Sequence, residues 1–271
     1  MRSAICLRAK SCSPPKGFCA PCSIILPNSR TTRTARENSN NRKYQEENMI
    51  WWIVGLSVLA CVAAALGYCA CVFRRLETPT KGKLINSQER GARALLVIDV
   101  QEDFTRNNGK RAFDPEMRDT ALDIMRLEIA QARASGDEVI FIKNIFRDRP
   151  VIWAMKLAAD GIGTPGREGL RIDRSLDTAE ARVFEKAVGD TFSNTAFETY
   201  LTERNIGHLR LVGLDACYCV QLTAKGALNR GFSVEIVEAG LITGTPEKWP
   251  DIRSELQGLG ARLSERTQKA A

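Results

Sequence analysis

Residues 49–73, MIWWIVGLSVLACVAAALGYCACVF, contain no charged side chain. The run of 25 residues exceeds the roughly 20 helical residues that cross a hydrocarbon core. It also lacks a polar face, which argues against an ordinary buried helix of a soluble domain. No small-x-small cleavage site follows, and the run is longer than a signal-peptide core, so it reads as an uncleaved anchor. A lipoprotein box is lacking too, because bulky Tyr68 precedes Cys69 where that signal wants a small residue. Trp51 and Trp52 at one end, with Arg74 and Arg75 at the other, suit an aromatic belt and a cationic anchor. More cations follow the run (Arg74, Arg75, Lys81, Lys83, Arg90, Arg93) than precede it (Arg33, Arg36, Arg42, Lys43). That bias places the C-terminal domain on the cytoplasmic side of a single-pass membrane helix.

Other absences are as informative. The net charge of +7 comes with no interleaving of basic and aromatic residues, so nucleic acid is not an expected partner. Much of the surplus lies in the N-terminal tail and beside the apolar run, where cations face anionic lipid. The nine cysteines are scarce where a disulfide scaffold would need them: Cys6, Cys12, Cys19 and Cys22 lie in the tail, and Cys61, Cys69 and Cys71 in or beside the apolar run. Only Cys217 and Cys219 belong to the remaining domain. Cys19-x-x-Cys22 has neither a second pair nor a nearby histidine, which argues against zinc. Histidine itself is reduced to His208.

What is present divides the chain into a basic, disordered-looking tail (1–48), a transmembrane helix (49–73), a charged tether broken by Pro79 and Gly82 (74–91), and a folded domain (92–271). In the domain, ALLVIDV is a continuous apolar strand of the kind buried on both faces of a parallel sheet. A helical pattern over PEMRDTALDIMRLEIAQARASG follows, then the strand EVIFIKNIF, a long loop and the strand ARVFEK. The helix TAFETYLTERN has capping-box spacing at Thr195 and Glu198. HLRLVGL, YCVQLTAKGALNRG and SVEIVEA read as strand, helix and strand, with a last helix and a short edge strand beyond. Such alternation predicts an α/β fold, a three-layer α-β-α sandwich around a mainly parallel sheet. Ligands then bind beyond the carboxyl ends of the strands, where Asp99, Lys186 and the Cys217/Cys219 pair fall.

A cysteine in the first turn of a helix meets unpaired N–H groups and the positive end of the dipole, which favour the thiolate. With a helix starting near Tyr218, Cys219 occupies that turn and Cys217 points elsewhere. A thiolate alone does not hydrolyse an amide, because the departing nitrogen must gain a proton. Asp99 could supply it as general acid and base, and the Lys186 ammonium could lower the thiol pKa and orient it. These residues point to cleavage of a small amide or ureide through a thioester. Phe104, Phe192 and Tyr218 are candidate pocket walls, and Arg147, Arg149 and Arg167 candidates to hold a substrate carboxylate or ureido group.

ALLVIDVQEDF, VFEKAVGDTFSNTAFETYL and LVGLDACYCVQLTAKGALNRGFSVEIVEA, in this order and spacing, resemble the signature blocks of the isochorismatase-like cysteine hydrolases. The resemblance implies a Rossmann-like sheet and carries the family's catalytic Asp, Lys and Cys onto Asp99, Lys186 and Cys219. It implies a cis peptide between Leu214 and Asp215, with Tyr218 beside the oxyanion site. Nicotinamidases of the family resemble one another in an Asp and His metal site after the second strand; KNIFRDRPVIW has no histidine, so neither metal nor cofactor is expected. Isochorismatase activity proper is disfavoured, since the resemblance implies that it needs no nucleophilic cysteine. A silent membrane-tethered binding module and a C-x-C redox protein are the rival readings, and a homo-oligomer is compatible with the pattern.

Overall fold

The computed structural model describes residues 29–107, 109 and 112–264. Cys6, Cys12, Cys19 and Cys22 lie outside the described residues. The chain divides into two units within its first helix, Met1–Val62 and Ala63–Ala271. In the first unit, α1 (Ser29–Leu76) already runs, so the described part of the expected tail is helical rather than irregular. Within α1, residues 36–76 include a window of mean hydropathy 2.3, none of it buried, long and apolar enough to cross a membrane.

The second unit is built on a six-stranded parallel sheet of order β3-β2-β1-β4-β5-β6. The strands are β1 (Ala92–Ile98), β2 (Glu138–Asn144), β3 (Arg182–Lys186), β4 (Ile206–Leu214), β5 (Ser233–Ile242) and β6 (Arg262–Ser264). β1 lies between β2 and β4, and side chains alternate along it. Leu96 and Ile98 join a core with Phe197, Leu201, Ala224, Ala227 and Leu256 on one face. Leu95 and Val97 join Ala121, Leu122, Met125 and Ile129 on the other. Burial on both faces explains why β1 is an unbroken apolar run.

The helices follow local signals. α2 (Glu102–Thr105) is a single turn. α3 (Pro115–Ala134) starts with Asp114 accepting from the Met117 amide and with proline in its first turn. The long loop expected after β2 contains α4 (Arg149–Ala158). α5 (Thr195–Glu203) is capped by Asn194, whose side chain accepts from the Ala196 and Phe197 amides, not by Thr195. The helix expected from Tyr218 begins earlier, as a π-helical turn (Ala216–Val220) that runs into α6 (Gln221–Leu228). α7 (Trp249–Gly258) precedes the edge strand.

Residues 77–91 do not behave as a free tether. The Ile85 amide donates to Arg230 O at 2.8 Å, and the Thr80 amide to Asp190 Oδ2 at 2.7 Å.

Candidate active site

Three chain segments end at the carboxyl edge of the sheet and bring Asp99, Lys186 and Cys219 together. Asp99 follows β1 with φ +57°, a left-handed conformation that Asp tolerates better than most residues. Lys186 closes β3, and Cys219 sits in the π turn after β4. Lys186 Nζ donates to Asp99 Oδ2 at 2.7 Å and lies 3.2 Å from Cys219 Sγ. The strands carrying Asp99 and Lys186 are not neighbours, because β2 runs between them. The lysine therefore reaches across Asn144, its register partner at the end of β2, and meets Asn144 Oδ1 at 3.4 Å. Gln101 holds Asn144 in place through both its amide (2.6 Å) and its carbonyl (3.3 Å). Asn144 and Gln101 were not singled out in the sequence. Only the polar residue closing the apolar run of β2 could have pointed to Asn144.

Burial dominates the electrostatics. It raises the Asp99 carboxyl above its ordinary value, and the Lys186 ammonium offsets only part of this. Burial alone would lower Lys186, yet Asp99 and then Cys219 carry it above its ordinary value. Burial, followed by the nearby Asp99 charge, pushes the Cys219 thiol up to about 12 despite Lys186. The shift at Cys219 thus runs opposite to the lowering expected from the helix start and the lysine, and favours the thiol over the thiolate. Asp99 Oδ1 is buried and has no hydrogen-bond partner among the described residues, which leaves it available to a proton from sulfur or substrate.

A cavity of about 610 Å³ opens on this cluster, lined by Phe104, Phe113, Phe146, Met155, Ile162 and Tyr218 among others. Asp215 is another of its lining residues. Its carboxylate accepts from the Cys217 amide (2.8 Å), Thr243 Oγ1 (2.7 Å) and the Gly244 amide (3.0 Å), tying the loop after β5 to the π turn. The Leu214–Asp215 peptide is cis, as expected. The Tyr218 amide donates to Asp215 O at 3.0 Å, so it is not a free oxyanion donor, and the Tyr218 ring is a half-open wall under Lys248.

Several pocket expectations are corrected. Phe104 lines the cavity, but Phe192 is buried in the core against Phe197 and Phe232. Arg147 pairs with Glu185 at 2.9 Å away from the cavity, and Arg167 with Asp103 at 2.7 Å. Arg149 opens α4 and is not among the lining residues. Cys217 is buried with its thiol donating to Thr245 O at 3.4 Å, so the two cysteines of the C-x-C pair face different partners. His208 lies within β4, far along the strand from the site end. Among the described residues no group of three or more His, Cys, Asp or Glu side chains converges, so the donor set does not fit a metal.

A family model described as isochorismatase domain matches residues 93–268. An uncharacterised isochorismatase family protein of Bacillus subtilis (strain 168) is 26% identical over 153 residues, 56% of this chain and 78% of that protein. A streptothricin hydrolase of Streptomyces noursei is 33% identical over 145 residues, 54% of this chain but only 52% of that protein, so the match spans about half its length. Among solved structures, nicotinamidase PncA from Bacillus subtilis superposes with a TM-score of 0.57 at 26% identity, covering 65% of this chain and 100% of that one. N-carbamoylsarcosine amidase from Thermoplasma acidophilum has a TM-score of 0.56 at 24% identity, covering 67% and 100%, a likeness of fold.

Proposed function

The chain belongs to the isochorismatase domain family, and from that premise we propose that it is a membrane-anchored cysteine hydrolase that cleaves the C–N bond of a small uncharged amide or ureide. The observation that carries this reading is Lys186 Nζ within reach of both Asp99 Oδ2 and Cys219 Sγ, the latter two residues lining the cavity. Cys219 Sγ attacks the carbonyl carbon as its proton passes to Asp99. The raised affinity of Asp99 for protons suits it to that transfer. Lys186 holds Asp99 in place and offsets the negative charge that develops at sulfur. The tetrahedral intermediate collapses with the C–N bond breaking, and Asp99 returns the proton to the leaving nitrogen. A water then loses a proton to Asp99 and adds to the thioester, releasing the acid and regenerating the thiol.

The Cys219 amide at the head of the helical segment is the donor we assign to the carbonyl oxygen, since the Tyr218 amide is committed to Asp215 O. The acyl group faces Phe104, Phe113, Phe146 and Met155, with the Asp99 and Asp215 carboxylates nearby. Apolar walls and two carboxylates favour an uncharged acyl part over an anionic one. The anchor is α1, with residues 92–271 as the hydrolase domain.

Intact-mass measurement of the full chain mixed with a panel of primary amides tests the reading. An acyl adduct mapped to Cys219, with ammonia released in turnover, is the expected result. Cys219→Ser removes both, whereas Cys217→Ser keeps them. Ammonia release that survives Cys219→Ser would sink the thioester mechanism.

A further inference from the structure

We propose that the strap joining α1 to β1, residues 76–85, is part of the active-site framework, and that Thr80 with its partner Asp190 are positioning residues that hold the Lys186 loop against the Cys219 helix. The inference rests on the cysteine-hydrolase reading above.

Lys186 and Cys219 each lead into a short segment that the strap touches. After Lys186 the chain passes through Gly189 and Asp190 into a 3-10 turn (Thr191–Ser193). After Cys219 it continues into α6, with Leu222, Thr223 and Gly226 facing that turn. The Gly189 amide donates to Leu76 O, the last carbonyl of α1, at 3.1 Å. A Cβ at Gly189 would stand 2.3 Å from Leu222 Cδ1 and 2.8 Å from Leu76 O, so loop, α6 and strap meet at van der Waals limits there.

Asp190 is fully buried at the same joint. Its Oδ2 accepts from both the Thr80 amide (2.7 Å) and Thr80 Oγ1 (2.6 Å), and its Oδ1 from the Phe192 amide (2.9 Å). Gly226 of α6 lies flat on this carboxylate, since a Cβ there would be 2.3 Å from Asp190 Oδ2. Thr223 Oγ1 accepts from the Thr191 amide at 3.2 Å, a second stitch between loop and helix. Burial raises the Asp190 carboxyl, and the two Thr80 donors are first among the groups that counter it.

Arg230, just beyond α6, closes the clamp from the other side. Its guanidinium donates to Thr80 O (3.1 Å), Lys81 O (3.1 Å) and Gly226 O (3.0 Å), lies 4.6 Å from the Phe192 ring centroid and pairs with Glu198 (3.1 Å). Gly82 admits this guanidinium, because a Cβ at that position would be 2.4 Å from Arg230 Nε. The strap thus bonds to the segments that follow Lys186 and Cys219, whose 3.2 Å contact depends on their relative position. Misplacement by about 1 Å costs on the order of 10²-fold in rate. A domain cut at residue 92 would deprive Asp190 and Arg230 of these partners.

The test uses the full chain in detergent, with Cys219 alkylation by iodoacetamide followed against pH and mapped by mass spectrometry, beside the thermal unfolding midpoint. Thr80→Val keeps the shape but removes the hydroxyl. It is expected to move the pH–rate profile of Cys219 and to change its rate by about tenfold, and Thr80→Ser to restore the parental profile. A merely structural role would lower the unfolding midpoint and leave that profile in place, which would overturn the proposal. If Thr80→Val does not fold, Arg230→Lys takes its place, since it keeps the charge but cannot span Thr80 O and Lys81 O together, and the same two results decide. Parental Cys219 that reacts like an unfolded thiol defeats the hydrolase reading and the strap with it. A distinctive parental profile unchanged by the variants defeats the strap alone.

Discussion

Lys186 Nζ sits 2.7 Å from Asp99 Oδ2, with both side chains withdrawn from solvent. Removing one partner of such a pair leaves an uncompensated buried charge and costs about 3–5 kcal/mol. Lys186→Met is expected to lose activity and to lower the urea midpoint accordingly. The double variant Asp99→Leu/Lys186→Met is expected to recover much of the stability while staying inactive. Equilibrium unfolding and amide turnover measured on the same three proteins separate the contribution to folding from the contribution to chemistry.

On the proposed mechanism, the acid limb of kcat/KM is expected to follow Asp99. Only the carboxylate can take the Cys219 proton, and burial raises the Asp99 carboxyl above its ordinary 3.8. The ionised, active fraction is therefore lost at a higher pH than for an ordinary aspartate as the solution is acidified. With the Cys219 thiol pushed up to about 12, no thiolate absorbance is expected at neutral pH in the resting protein. Asp99→Asn should lower kcat by about 10²–10⁴-fold and abolish the acid limb. A profile whose acid limb persists in that variant would assign it to another group.

Substrate charge is the next expectation. Three phenylalanines, Met155, Asp99 and Asp215 are among the residues lining the cavity proposed to take the acyl group, while Arg147 and Arg167 are engaged with Glu185 and Asp103. Between an uncharged amide and its carboxylate-bearing analogue of equal size, kcat/KM should favour the uncharged one by about 10–100-fold. Competition in one reaction, read by mass spectrometry, measures the ratio directly, and a preference for the anion would reverse the account of the pocket.

Gly213 offers a backbone test. It has φ +120°, and a Cβ there would stand 2.2 Å from Ile98 O on the neighbouring strand. Gly213→Ala must push apart the ends of β1 and β4, which carry Asp99 and lead to Cys219. A loss of more than about 2 kcal/mol of stability is expected, together with slower Cys219 alkylation. Denaturant titration and thiol labelling of the same variant check both halves.

Much of this protein was legible in the sequence because the signals are local. The uncharged run in α1, the double-sided apolar strand β1 and the turn from β4 into a helix each follow from residues close in the chain. So do the positions of Asp99, Lys186 and Cys219, since each ends or follows its own strand. What tertiary structure alone decided is how distant residues share space. Strand order put β2 and Asn144 between Asp99 and Lys186. Burial, a property of the whole fold, reversed the thiol shift expected from the helix start. Arg147 and Arg167 found carboxylates across the fold instead of facing the cavity, because a loop cation pairs with whatever long-range packing brings near it. Residues 77–91 look like a solvated linker when only their charge is considered. Their carbonyls and Thr80 are nonetheless held by Arg230 and Asp190, more than a hundred residues away, and no local pattern encodes a partner at that distance.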